Sequence, residues 1–160
     1  MNHRMMRIIL VLLLSIAPSW AGDKKGKNMA VSFHLETDVN NNPKMIFEQT
    51  IGGKKRYFSR SPEFSTKDIT AFSPFLSDNQ SDYGIVFQLR KSAANRLENI
   101  TMANQGKMLI AAVNGRVVDG VIIDQSVKDG VLVVWNGIQE AEIKEYDKLA
   151  PRIGEDKKKK

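Results

Sequence analysis

Apolar and polar residues alternate over Ala30–Thr37, AVSFHLET, with Val31, Phe33 and Leu35 on one side and Ser32, His34 and Glu36 on the other. That period of two predicts a strand with one buried face and His34 on the polar one. DVNNNP breaks it, and KMIFEQTI and KKRYFSR then flank Gly52-Gly53, a hairpin with a tight primed turn. Ser65 or Thr66 is placed to cap a short helical turn containing Asp68. Residues 71–76 include Pro74, which limits them to an edge strand or extended connector. Ile85–Leu89 is an apolar strand, and Met108–Val113, MLIAAV, is a strand apolar on both sides.

Two stretches carry helical spacing. Lys91–Asn104 places Ala93, Leu97 and Ile100 on one face, and Gly106 ends it in the left-handed region. Ile138–Ala150 places Ile138, Ile143, Tyr146 and Leu149 together, and Pro151 stops it. Asn114-Gly115 is a strong hairpin signal, because both turn residues must take positive φ. Asp119-Gly120 predicts a bulge or bend between Arg116–Val118 and Val121–Ile123, and Lys128-Asp129-Gly130 a turn before Val131–Trp135. The expected fold class is α+β: a mixed or antiparallel sheet with two helices packed on one face.

The start of the chain breaks the amphipathic pattern. MNHRMMR is followed by the apolar run Ile8–Ala17 and then by Ser19-Trp20-Ala21, the layout of a cleaved export leader ending at Ala21. Retention as an N-terminal anchor is the alternative. A flexible lead-in is expected over 22–28, one domain over 29–153 and a disordered lysine tail over 154–160. Such a chain is periplasmic or extracellular, with no integral membrane span after cleavage.

Composition then narrows the chemistry. The chain has 160 residues, 42% hydrophobic and 26% charged, with no cysteine. Disulfides, thiolate metal sites and cysteine nucleophiles are therefore excluded. The net charge of +6 is concentrated at the ends: Arg4 and Arg7 belong to the leader and Lys157–Lys160 to the tail. Without these six, basic and acidic residues are equal in number, which argues against a nucleic-acid-binding face.

Candidate sites are few. Asp119, Asp124 and Asp129 recur every five residues, but a calcium loop needs closely alternating oxygens, so they are expected to be turn residues. No G-x-S-x-G elbow or phosphate-binding loop occurs, and Asn104-x-Gly106-Lys107 ends a helix where the dipole repels anions. His34, Glu36 and Glu48 form the one conceivable acid/base set, the basis of an alternative reading as a small secreted enzyme. No cofactor or metal site is expected.

Further residues carry a family resemblance. Pro62, Thr66 and Asp68-Ile69 stand at a first turn. Thr101, Asn104, Gly106 and Lys107 fit T-x-x-N-x-G-K position by position. LIAAVNGRVVDGVI, with its Asn114-Gly115 turn, follows, and then Asn136-Gly137 and Glu140-Ala141. In this order residues 62–149 resemble the head of the first periplasmic domain of SecD, a subunit of the bacterial protein-export translocase. Where that family has S-A-P this chain has Asp119-Gly120-Val121, and the multi-span membrane part is missing. The resemblance implies a SecD-head-like fold, an exported location and a non-catalytic module. Phe64, Phe72 and Phe75, in the proline-containing middle, are the expected lining of a groove for a protein or extended polypeptide partner. A structural envelope protein whose lysine tail touches an anionic surface is a further alternative. The sequence leaves the oligomeric state open.

Overall fold

A computed structural model describes residues 29–155. The expected leader, lead-in and lysine tail lie outside them, apart from Gly154 and Glu155. Nine strands and two helices follow in the order β1 (Val31–Leu35), β2 (Ile46–Ile51), β3 (Lys54–Ser59), β4 (Phe64–Ser65), β5 (Ile69–Leu76), β6 (Tyr83–Leu89), α1 (Lys91–Ala103), β7 (Met108–Val113), β8 (Arg116–Ile122), β9 (Val131–Ile138) and α2 (Glu140–Leu149), with one 3-10 turn at Thr66–Asp68. The class is α+β, as expected.

The strands form three ladders: β4-β1-β7-β8, the β2-β3 hairpin, and β5-β6-β9. Each pairing between these strands is antiparallel. One face of the four-stranded sheet, carrying Val31, Phe33, Leu109, Ala111 and Val113, joins Phe72, Ile85, Phe87 and Val134 of the three-stranded sheet in the main core. Both helices bury side chains there, Ala93 and Leu97 from α1 and Ile143 and Tyr146 from α2. Phe87 lies between the layers, edge-on to Phe33 at 6.0 Å and tilted against Tyr146 at 5.3 Å.

The other face of the four-stranded sheet is covered by the β2-β3 hairpin, with Phe58 packed on Met108 and Ile110. β7 is therefore covered on both faces and its six residues are all buried, the physical reason MLIAAV is an unbroken apolar run. The same cover corrects the placement of His34. It is buried beneath the hairpin rather than on a polar surface, with Nδ1 2.8 Å from the Ser59 carbonyl, Nε2 2.9 Å from Ser32 Oγ, and its ring edge-on to Phe47.

The local turn signals are realised. Gly52 and Gly53 have φ of 57° and 74°, and Asn114 and Gly115 of 52° and 80°. β5 is an edge strand. Pro74 has no N–H to offer on it, and residues 151–153 bond to Phe72 alongside it. Two boundaries move. Arg116–Ile122 is one strand, with Val118 the extra residue of a bulge between the Ala111–Asp119 and Ala112–Val117 pairs. The closing helix begins at Glu140, after Ile138 has ended β9 opposite Tyr83, and Leu149 is exposed rather than inward.

Tyr146 is fully buried, and its hydroxyl has no hydrogen-bond partner among the described residues. Burial pushes its phenol well above the ordinary pKa. An unpaired buried hydroxyl costs about 1–3 kcal/mol, so Tyr146→Phe should keep the packing and raise stability by about 1 kcal/mol in urea unfolding.

Candidate functional site: an apolar cleft between two strand edges

The residues singled out from the sequence do not converge. Phe64 and Phe72 are buried, Phe64 in the four-stranded sheet under the Arg96 guanidinium and Phe72 in the other sheet against Tyr146. Neither lines the cleft described below. Phe75 alone of the three is partly exposed, edge-on to Trp135 at 6.0 Å. Glu36 accepts from Arg56 Nη1 at 2.8 and 3.0 Å and from the Met108 N–H at 2.8 Å, while Glu48 pairs with Lys55 at 3.0 Å. Each member of the His34, Glu36 and Glu48 set is thus bonded to other groups. Among the described residues no three His, Asp or Glu side chains are grouped to hold a metal ion.

The motif residues 101–107 tie the end of α1 to the segment after β8. The Thr101 hydroxyl donates to the Leu97 carbonyl at 2.7 Å and accepts from the Val127 N–H at 2.9 Å. Asn104 Nδ2 donates to the Ile100 carbonyl. Gly106, at φ +84°, donates to the Ile123 carbonyl, and the Lys107 carbonyl accepts from the Ile123 N–H. Asn114 and Gly115 form the β7-β8 turn, and the Asn114 side chain accepts from the Ala30 N–H.

An open cleft lies elsewhere. β8 ends the four-stranded sheet and β9 ends the three-stranded sheet. These edges meet at one end, where Arg116 Nη1 donates to the Gly137 carbonyl at 3.1 Å. A Cβ on Gly137 would stand 3.1 Å from the Val118 carbonyl oxygen, so the backbones are closely apposed there. Beyond this contact they border a cleft of about 480 Å³. Phe33, Leu97, Leu109, Ala111 and Leu132 contribute buried apolar lining, while Val121 and Trp135, 38% and 55% exposed, stand at its mouth. Among the described residues, Asp119 and Asp124 are its only charged lining.

Backbone alternation sets what the edges offer. Leu89 N–H donates to the Gly130 carbonyl and Leu132 pairs with Phe87, so Val131, Val133 and Trp135 direct their N–H groups away from β6. Ile123 bonds toward β7, so Gly120 and Ile122 direct theirs away from β7. Three of these five outward donors are met by aspartates. Asp119 Oδ1 accepts from Gly120 at 2.8 Å, Asp119 Oδ2 from Trp135 at 2.7 Å, and Asp129 Oδ1 from Val131 at 3.0 Å. Asp119 therefore bridges the edges of two sheets, a role its place in a regular Asp-Gly series did not signal. Trp135 was equally hidden, since an aromatic at the end of an apolar strand reads as core.

No family model and no curated protein matches the chain. Solved structures do. One, reported as the structure and function of a membrane component, SecDF, that enhances protein export, superposes with a TM-score of 0.54 at 18% identity, covering 78% of this chain and 64% of that chain. Another, a crystal structure of SecDF in its super-membrane-facing form, gives 0.52 at 15% identity, covering 78% of this chain and 18% of that one. The chain thus spans less than two thirds of either. No helix among the described residues is long and apolar enough to cross a membrane. The domain has the fold of a SecD-like periplasmic domain.

Proposed function

We propose that the chain is an exported, non-catalytic SecD-head-like module that takes an extended polypeptide segment into the β8-β9 cleft by strand addition. The observation carrying this reading is the pair of strand edges facing each other across an apolar opening. A segment entering there would meet outward backbone groups on both sides, and its alternate side chains would reach the apolar lining. The β5 edge, by contrast, is blunted by Pro74 and residues 151–153. With Asp119 and Asp124 as its charged lining among the described residues, the cleft suits a segment in which apolar residues alternate with Lys or Arg. The likeness to an export component is in keeping with such a partner in the cell envelope.

Fluorescence anisotropy with a labelled Val-Lys-Val-Lys-Val-Lys-Val peptide tests this. Saturable binding is expected, weaker when glutamate replaces lysine, and the difference should shrink in high salt. Trp135→Ala should weaken binding about tenfold, as loss of an exposed aromatic anchor does, with an unchanged melting temperature. Absence of binding by all such peptides would refute strand addition.

A further inference from the structure

We propose that Asp119 is a latch across this cleft, holding the two strand edges together until an incoming segment displaces its carboxylate. The inference rests on the strand-addition reading above. β8 and β9 belong to different sheets, yet one carboxylate accepts main-chain N–H groups from both, Gly120 at 2.8 Å and Trp135 at 2.7 Å. These are outward-pointing donors that an added strand would use. Oδ1 occupies the acceptor position at Gly120 on the β8 edge and Oδ2 that at Trp135 on the β9 edge, so a strand pairing with either edge at this level must displace the carboxylate.

The neighbouring contacts make this the step that can open. Behind Asp119 the strands are held independently, by Arg116 on the Gly137 carbonyl and on Glu142 at 3.1 Å, and by the tight Gly137–Val118 approach. Ahead of it, no hydrogen bond joins Ile122 or Val133 across the cleft among the described residues. The Val118 bulge changes the register of β8 next to Asp119. Asp119 is half-buried, so a side-chain rotation carries its carboxylate into water without moving either backbone. The segment first pairs with Val133 on the β9 edge, then takes the Trp135 N–H, the next outward donor of that edge, as the carboxylate leaves. Charge-assisted bonds are stronger than those a neutral carbonyl makes, so the latch opposes binding and its removal favours it.

The test uses the full chain, its Asp119→Ala and Asp119→Asn variants, and an uncharged labelled probe, Val-Ser-Val-Ser-Val-Ser-Val, so that loss of a carboxylate does not itself alter attraction. Asp119→Ala is expected to bind about tenfold more tightly than the unaltered chain. Asp119→Asn, whose side chain retains a single acceptor oxygen, should fall between them. Equal or weaker binding by Asp119→Ala overturns the latch while leaving strand addition standing. Binding by neither protein overturns the latch, and strand addition falls with it if the lysine peptide also fails to bind. If circular dichroism shows that Asp119→Ala does not fold, Asp119→Asn decides by the same criterion: tighter binding supports the latch, and equal or weaker binding overturns it.

Discussion

Phe87→Ala is expected to lower the unfolding free energy by about 4 kcal/mol, read as a shift of the urea midpoint with an unchanged slope. Phe87 is fully buried where the two larger sheets and α2 meet. Its ring meets Phe33 of β1 and Tyr146 of α2, while its backbone pairs with Phe72 and Leu132. Removal would leave a cavity bordered by rings anchored in two elements, β1 and α2, which cannot both move inward freely. Domains of this size are stable by only about 5–15 kcal/mol, so the loss is a large share of the whole. Val86, its half-buried neighbour on the opposite face, should tolerate alanine far better, and the contrast separates packing from β-propensity.

The second large effect concerns Asp68, buried at the 3-10 turn. Its Oδ1 is 2.8 Å from Arg90 Nη2 and 3.2 Å from Arg96 Nη2, and its Oδ2 accepts from the Ser65 N–H at 3.0 Å. Burial pushes its pKa up, but the Ser65 N–H and the two guanidinium groups outweigh burial and hold the carboxyl below its ordinary value. A carboxyl with a depressed folded pKa stabilises fully above its unfolded pKa. That stability is lost as pH falls through the folded value. Acid unfolding of the native chain should therefore steepen below about pH 4. Asp68→Asn should be destabilised by about 3 kcal/mol at neutral pH and should lack that part of the acid dependence. The arginines are 52% and 40% exposed, so water screens them and the cost stays at the lower end for a broken buried pair.

Features written in short stretches of sequence were legible. Gly52-Gly53 and Asn114-Gly115 place their turns because positive φ at two successive positions is a local demand. The run at β7 disclosed burial on both faces, and Pro74 an edge. What stayed hidden depends on partners distant in sequence. His34 alternates as an outward residue should, and only the hairpin folded over that face buries it. Phe64 and Phe72 lie near a proline in a poorly periodic region, but β4 pairs with β1 and β5 with β6, which takes both rings inward. Ile138 fits a helical period, yet pairing with Tyr83 retains it in β9. The cleft was the least legible feature, because it is made by two strand edges, and edges follow from strand order rather than from composition.

The pairing of β1 with β7 also fixes an order of events. Val31 lies opposite Val113 and Leu35 opposite Leu109, and the contact that completes this seam, Ala30 to Asn114, spans 84 residues. Closing so long a loop costs entropy before any contact repays it, which places the domain among the slower-folding topologies. The β2-β3 and β7-β8 hairpins close over two-residue turns and can form well ahead of it. β1, made before its partner β7, is therefore among the last of the described strands to be seated. Until β7 is available, Val31 and Phe33 remain open to whatever escorts the unfolded chain.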